Sequence, residues 1–186
     1  MTVARLTAGD WVDVGFTVLG EDGIEGVKVD RMAERLGVTK GSFYWHFRDL
    51  DDFLEALATR WAGEMGDRYL ATAGPRDLPP AMRMQNRLRA FLSRRVRSLD
   101  REMRHWACTD ERARAALEKT DGRIFAQMTA DLREMGFSET EAEWRASVLF
   151  YASVGYAAVG HPLTETNLRG EGFKLLALLT ARDTPG

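Results

Sequence analysis

The chain of 186 residues is poor in the features that mark secreted or membrane proteins. It has one cysteine, Cys108, so an internal disulfide bond is impossible, as is typical of proteins from a reducing compartment. The first ten residues lack the apolar core of a signal peptide. The longest uncharged apolar run, residues 146–160, has 15 residues and is shorter than the roughly 20 that span a bilayer. We therefore expect a cytoplasmic protein with no membrane partner.

Positive charge is also in short supply. The formal net charge is −2, and residues 1–50 carry six Lys or Arg side chains against eight Asp or Glu side chains. Proteins that bind nucleic acid without sequence preference are usually basic, so a broad basic surface is excluded. Any affinity for nucleic acid must come from a few locally placed cations, backbone N–H groups and helix N-termini.

Signatures of catalysis are missing as well. The sequence has no GxSxG motif, no HExxH motif and no cluster of cysteines and histidines with metal-ligand spacing. Its three histidines, His46, His105 and His161, are far apart in sequence. These absences predict a protein that is not an enzyme and holds no cofactor or metal, although a catalytic group assembled by the fold stays an alternative.

Helical periodicity runs through the whole chain. It predicts an all-α fold of about nine helices, which cover approximately residues 7–19, 29–36, 40–47, 51–70, 80–99, 102–108, 111–135, 139–160 and 166–181. Among them, the helix predicted at 80–99 has a basic outer face formed by Arg87, Arg89, Arg94, Arg95 and Arg97. Such a face is either a second nucleic-acid surface or, more commonly, a solvated or acid-paired surface.

Residues 29–53 have the pattern of two short helices joined by a tight turn. Gly37 follows the first helix directly, where a glycine can take the left-handed conformation that ends a helix. Thr39 is placed to cap the second helix by accepting a backbone N–H. Phe43 and Phe47 are four positions apart and therefore share the inward face of that second helix. The pattern predicts a helix-turn-helix.

The outward side of the second helix is rich in donors and aromatic rings, with no carboxylate from Thr39 to Arg48. Such a surface suits a phosphate backbone and a major groove. The outward residues are Lys40, Gly41, Ser42, Tyr44, Trp45 and His46.

The run GVTKGSFYWHF closely resembles the DNA-binding domain of the TetR family of transcriptional regulators. The residues that carry the resemblance are Met32, Ala33, Gly37, Val38, Gly41, Phe43, Tyr44, His46 and Phe47. The resemblance implies a helix-turn-helix DNA-binding domain at residues 1–65 and a helical ligand-binding and dimerisation domain at residues 66–186. It further implies that Tyr44 and His46 hold phosphates while Thr39, Lys40, Ser42 and Trp45 meet base edges.

Two positions depart from the family's pattern. Lys28 stands where the family usually has a Ser or Thr that caps the first helix of the motif, so a cap is lost and a cation is gained. Leu50 stands where the family commonly has a phosphate-binding lysine, and Arg48 is a possible substitute. The predicted DNA-binding residues are therefore Lys28, Thr39, Lys40, Gly41, Ser42, Tyr44, Trp45, His46 and Arg48. Two simpler roles stay open: Trp45 could pack on a neighbouring helix, and His46 could be an ordinary surface imidazole.

Apolar and small residues fill every side of residues 146–160, and such a helix must be buried all round. This pattern predicts a homodimer through the last two helices, about 139–181, as a four-helix bundle, and the resemblance implies the same. The resemblance also implies a small-molecule effector that binds between helices of the domain at residues 66–186. Candidate effector contacts are His105, Trp106, Asp121, Phe125, Met128 and Tyr151, with core packing as the alternative for each.

Taken with the resemblance, the sequence predicts a ligand-released repressor that binds a palindromic operator on double-stranded DNA as a homodimer. One alternative is a TetR-like protein that has lost DNA binding and acts through a protein partner, which the acidic balance and Leu50 favour slightly. The other is a helical enzyme in which the N-terminal motif is incidental.

Overall fold

A computed structural model of the chain describes residues 6–159 and 165–181. It contains helices and no strand in that part of the chain, so the predicted all-α fold is confirmed. The helices are α1 (Ala8–Asp22), α2 (Val29–Leu36), α3 (Lys40–Tyr44), α4 (Leu50–Arg60), α5 (Gly66–Ala71), α6 (Pro80–Phe91), α7 (Arg94–Ala107), α8 (Glu111–Glu134), α9 (Glu139–Val159) and α10 (Glu165–Thr180). A π-helical turn, Trp61–Met65, joins α4 to α5. If these two segments count as one helix, the described chain has the nine helices expected.

The prediction of a single helix at residues 80–99 is wrong. The chain leaves α6 at Leu92 and enters α7 at Arg94, and α7 also takes in the separate segment predicted at residues 102–108. The break has a local cause, because the Ser93 hydroxyl accepts the backbone N–H of Val96 at 3.4 Å. A serine in this position competes with continuation of the preceding helix and caps the next one.

The chain forms two compact units. The first contains residues up to Glu64 together with Ser98–Glu118, and the second contains Met65–Arg97 and the chain from Lys119 onward. The second is built on an apolar core from α6, α8, α9 and α10 and the loop before α9, formed by Met84, Leu132, Phe137, Ala142, Ala146, Leu149, Leu176 and Leu179. The division into a DNA-binding domain at 1–65 and a ligand-binding domain at 66–186 stays a prediction.

Arg112 explains why the start of α8 packs in the first unit. Its guanidinium donates to the Asp110 carboxylate at 2.8 Å and to the backbone carbonyl of Asp51 at 3.1 Å. Asp51 lies in the first turn of α4, so this arginine joins the beginnings of α4 and α8. The hydrogen bond from Arg112 also lowers the pKa of Asp110 to about 2, so this carboxylate is ionised at neutral pH.

Arg87 does not belong to a basic outer face, contrary to the sequence prediction. Its side chain is 4% exposed and is paired with the buried carboxylate of Asp131. Arg89, Arg94 and Arg95 are exposed, as predicted. Arg87 directly precedes Leu88 on α6, and spacing alone predicted that it points to solvent. Spacing does not show that Asp131 of α8 lies beside Arg87.

Gly15 allows α1 to approach α4 closely. A Cβ atom on Gly15 would lie 2.5 Å from Cζ of Phe53 and 3.3 Å from Cδ1 of Leu57, and both side chains are fully buried. Gly20, on the same helix, has more room, since a Cβ atom there would lie 3.6 Å from the side chain of Leu99. The same substitution at the two positions therefore separates helix propensity from steric fit.

We expect Gly20→Ala to raise the free energy of unfolding by up to about 1 kcal/mol, because alanine favours a helix over glycine. Gly15→Ala has the same gain but forces the Phe53 ring to move, at a cost of roughly 1–3 kcal/mol for overpacking. Urea denaturation of the two variants should therefore show Gly15→Ala to be the less stable one. Equal stabilities would mean that the α1–α4 contact is looser than described.

Candidate nucleic-acid interface

The turn between α2 and α3 depends on Gly37. This residue has φ 67° and ψ 32°, the left-handed conformation that glycine adopts at little cost. The backbone N–H of Val38 then donates to the carbonyl of Ala33 at 3.0 Å and satisfies the end of α2. The predicted helix-turn-helix is therefore formed, although α3 ends at Tyr44 and not at residue 47.

Phe43 attaches the short helix α3 to the rest of the first unit. Its side chain is fully buried, and its ring meets Trp11 edge-on at a centroid distance of 5.3 Å. Phe47 and Phe53 lie 5.3 and 5.7 Å from the same ring. Aromatic pairs at these distances contribute roughly 0.5–1.5 kcal/mol each beyond the area they bury. This cluster fixes which side of α3 faces inward.

The opposite side of α3 presents aromatic rings to solvent. Trp45 is 81% exposed and Tyr44 is 59% exposed. Trp45 therefore does not pack on a neighbouring helix of the described chain, which was the alternative role considered for it. The Tyr44 ring rests edge-on against Phe43 at 5.3 Å, which orients its ring. Two adjacent exposed rings form an amphipathic surface that can contact bases or sugars.

The other predicted DNA-binding residues lie around these rings. Lys28 and Thr39 occupy the N-cap positions of α2 and α3, and both are exposed. The hydroxyl of Thr39 makes no capping hydrogen bond, so that part of the prediction is wrong. The hydroxyl is left free of the α3 backbone, because the N–H of Ser42 donates to the Thr39 carbonyl instead, at 3.0 Å.

Gly41 and Arg48 are exposed, while Ser42 and His46 are half-buried. A Cβ atom on Gly41 would contact only the Thr39 hydroxyl, at 3.6 Å, so this position has space beside the backbone. Arg48 is linked to Asp52 at 3.4 Å with most of its side chain in solvent. The cap of α4 is Asp49, which accepts the N–H of Asp52 at 2.8 Å.

Carboxylates accompany the cations of α2 and α3. The ammonium group of Lys40 lies 2.5 Å from Oδ1 of Asp30, and both side chains are more than 60% exposed. On α2, Arg31 pairs with Asp22 at 2.6 Å and Arg35 pairs with Glu21 at 2.5 Å. Sequence analysis missed the role of Asp30, because its ten-residue separation from Lys40 is closed only by the turn at Gly37.

The six candidate effector residues are spread over both units. His105 is exposed and Trp106 is 2% exposed, and both lie in the first unit. The remaining four lie in the second unit: Asp121, Phe125 and Met128 on α8 are half-buried, and Tyr151 on α9 is 71% exposed. An effector site at these residues stays a prediction.

Neither a metal-binding cluster nor a helix suited to span a membrane is found among the described residues. No group of three or more His, Cys, Asp or Glu side chains within the described ranges is arranged to hold a metal ion. Among the helices of the same ranges, none combines the length and the apolar character that a membrane span requires.

Comparison with known proteins relates the first unit to a family of regulators. Residues 12–57 match the family described as bacterial regulatory proteins, tetR family. The tetracycline repressor protein class D from Escherichia coli is 32% identical over 72 residues, which are 39% of this chain and 33% of the repressor. The class C repressor from the same species is 46% identical over 41 residues, or 22% of this chain and 19% of the repressor. The aligned region thus spans about a third or less of these relatives.

Solved structures extend the likeness to the whole fold. A transcriptional regulator from Rhodococcus sp. Rha1 superposes with a TM-score of 0.76 at 23% identity, covering 94% of this chain and 96% of that one. The structure of BioQ with its double-stranded DNA operator superposes with a TM-score of 0.55 at 23% identity, covering 96% of this chain and 100% of that one. At these identities the likeness shows the fold alone, and the fold is the one predicted.

The pair between Lys40 and Asp30 makes a prediction about charge. Asp30→Asn removes a carboxylate that competes with phosphates for the lysine, so affinity for duplex DNA should rise. The slope of log affinity against log salt should become steeper by about one unit, because one more cation contacts the DNA. Fluorescence anisotropy with a labelled duplex at several salt concentrations measures both quantities.

Asp77→Asn is the matched control, because it makes the same substitution at an exposed position in the loop between α5 and α6 of the second unit. It should leave the affinity and the salt slope at their wild-type values. If Asp30→Asn behaves like this control, the ion pair does not compete with DNA.

Proposed function

We propose that this chain, a member of the TetR family through residues 12–57, is a sequence-specific DNA-binding transcriptional regulator of the repressor type. The observation that carries the proposal is the outward face of α3, where Lys40, Tyr44 and Trp45 are exposed while Phe43 is buried. A short helix held from behind, with donors and aromatic rings in front, is the arrangement that reads base edges in a major groove. The related tetracycline repressors and the operator-bound BioQ structure support the same function.

Roles on DNA follow from exposure and chemistry. Lys40 and Trp45, at the two ends of the exposed face, are proposed to meet base edges, together with Thr39 and Ser42. Tyr44 is proposed to donate its hydroxyl to a phosphate, because the edge-on contact with Phe43 holds its ring in place. The remaining contacts, with the backbone of double-stranded DNA, are proposed to come from Lys28, Gly41, His46 and Arg48. The proposed location of the protein is the cytoplasm.

A homodimer is proposed from the free face of α9. Trp144, Val148 and Tyr151 follow one another at helical spacing and are 47%, 40% and 71% exposed. Gly155 continues this stripe and leaves open space for a close approach by another helix. On α10, Leu178 is 70% exposed. A second copy of the chain would cover both helices in a two-fold four-helix bundle, while residues 160–164 between them lie outside the described part.

Release by a ligand is the proposed form of regulation. A small molecule that binds between helices of the body would weaken DNA binding only if it binds the DNA-incompetent state more tightly, since equal affinity shifts no population. Phe125 and Met128 pack beside the core of the second unit, and Phe125 meets Phe150 edge-on at 6.5 Å. Apolar and aromatic groups of this kind suit an organic effector.

One observation favours a second candidate function. Because Lys40, Arg31 and Arg35 are each paired with a carboxylate, the cations of the helix-turn-helix are partly neutralised within the chain. A TetR-like protein that acts through a protein partner without binding DNA would tolerate this neutralisation. DNA binding by the wild-type protein separates the two candidates.

The first test is selection of randomised duplex DNA by the purified protein at two salt concentrations. We expect enrichment of a near-palindrome whose half-sites lie about one helical turn or more apart, because two recognition helices of a dimer would enter successive major grooves. Folded dimeric protein that enriches no sequence at either salt concentration would overturn the proposed function.

Two substitutions on α3 refine this test. Tyr44→Ala should weaken binding to all duplexes, because a phosphate contact carries no sequence information. Lys40→Ala should also relax the base preference at one position, with a loss of about 1–3 kcal/mol for the preferred base. Competition binding against the selected sequence and its single-base variants measures both effects. Wild-type affinity in both variants would show that α3 does not read DNA.

The proposed dimer predicts the effect of a charge on α9. Tyr151→Glu should convert the protein to a monomer, because the carboxylate would be buried without a partner in the bundle. Sedimentation velocity measures the change in mass. The control is Met82→Glu, which places the same charge on α6 at an apolar residue that is 47% exposed and should leave the mass unchanged. A dimer that survives Tyr151→Glu would exclude this face as the interface.

A further inference from the structure

A cavity of about 230 Å³ opens in the second unit, between the end of α5 with its following loop, α6 and α8. Its apolar wall is formed by Leu70, Ala73, Gly74 and Ala130, and its polar wall is formed by Arg76, Arg83, Arg87, Gln127, Asp131 and Glu134. None of the effector contacts predicted from the sequence lines it. The cavity is smaller than the roughly 300–1,000 Å³ of sites for drug-sized ligands, so an occupant must be small.

Asp131 is the centre of the polar wall. Its carboxylate is fully buried and accepts hydrogen bonds from Nε and Nη2 of Arg83, at 3.0 and 2.7 Å. It also accepts from Nη2 of Arg87 and from the amide of Gln127 at 3.3 Å. Both carboxylate oxygens therefore have donors, and Asp131 has little capacity left to accept from a ligand.

Arg83 is also saturated. Besides Asp131, its guanidinium donates to both oxygens of Glu134, at 3.4 and 2.5 Å. Its Nη1 group further donates to the backbone carbonyls of Arg76 and Leu78, at 2.9 and 2.7 Å. The two acidic residues of the cavity wall are thus occupied mainly by this one arginine.

Arg87 is the residue with donors to spare. Its Nη1 group is buried and has no hydrogen-bond partner in the described part of the chain, and the residue as a whole is 97% buried. Burial lowers the pKa of this guanidinium from its usual value, yet arginine stays protonated in proteins. A charged donor in this position costs free energy unless an acceptor reaches it.

We propose that this cavity binds a small organic or inorganic oxyanion, a carboxylate or a phosphate group, through the guanidinium of Arg87. The carboxylates in the wall already accept from Arg83 and from Nη2 of Arg87, while Nη1 of Arg87 has no acceptor, so the group left over is a donor. A guanidinium presents its donors in a planar fork that matches two oxygens of such an anion. Exposed Arg76 at the rim adds positive charge.

The apolar wall favours a carboxylate that carries a short hydrocarbon chain. Leu70 and Ala73 are aliphatic, and Ala130 faces the cavity from α8. The inference rests on the proposed function only where it identifies the anion bound in this cavity as the effector that regulates DNA binding. Binding itself does not depend on that role.

Thermal denaturation of the full-length protein tests the proposal, with acetate, butyrate or inorganic phosphate added against chloride at matched ionic strength. We expect a saturable rise in melting temperature for the anion that fits, with butyrate above acetate if the apolar wall takes part. Phosphate acting alone would identify the anion as a phosphate group. No saturable rise with any of the three would overturn the proposal.

Arg87→Met removes the donor; Oδ1 of Asp131 keeps Arg83 and Gln127, while Oδ2 loses its bond from Arg87. The substitution should weaken the apparent affinity by about tenfold or more, as expected for loss of a charge-assisted hydrogen bond. Arg89→Met is the matched control, because it removes the same charge from an exposed position on the same helix, outside the cavity wall. The apparent affinity of this control for the anion should stay within about twofold of wild type, well below the tenfold change expected for Arg87→Met.

Ala130→Leu is a second variant that fills the cavity without touching either arginine. It keeps the test decisive if Arg87→Met fails to fold, and it should also weaken binding. Wild-type affinity in a folded Arg87→Met or Ala130→Leu variant would place the anion elsewhere and overturn the site. Because these titrations use protein without DNA, failure of the duplex selection would leave their outcome unchanged.

Discussion

Burial of Phe43 is the contact on which the helix-turn-helix of this protein depends. The helix that carries it, α3, has only five residues, which is too short to be stable by its own hydrogen bonds. Its position comes from the aromatic cluster of Trp11, Phe47 and Phe53 that surrounds the Phe43 ring. Because side chains on a helix are about 100° apart, fixing this one ring also fixes the direction of Tyr44 and Trp45. Packing behind the helix therefore determines what is offered in front.

The front of the helix works against an unfavourable charge balance. Lys40 and the arginines of α2 are paired with carboxylates, so net charge contributes little attraction for DNA. Exposed ion pairs contribute only about 0–1 kcal/mol, however, so a phosphate can replace the carboxylate partner at small cost. What remains is contact chemistry, from two exposed rings, the free hydroxyl of Thr39 and a small number of exchangeable cations. If the protein binds DNA as proposed, contacts with bases should contribute more to its affinity than general attraction to phosphates does.

The sequence predicted those features that depend on neighbours along the chain. Gly37 and Phe43 could be placed from spacing alone, because a helix end and a helix face are local properties. The failures are of two kinds. The break at Ser93 and the missing capping bond of Thr39 depend on which local hydrogen bonds form, and spacing does not decide this. Burial of Arg87 depends on Asp131, which lies 44 positions later in the chain. The sequence near Arg87 does not indicate whether this arginine points inward or outward.

That buried arginine also bears on what the second unit is for. A buried ion network is weak support for stability, because apolar residues of similar volume often serve as well or better. The network of Arg83, Arg87 and Asp131 is moreover incomplete, since both arginines donate to Asp131 but Nη1 of Arg87 retains no acceptor. An unsatisfied group of this kind is costly in a wall that serves packing alone. Its cost has a physical reason if an anion enters the adjoining cavity and completes the network.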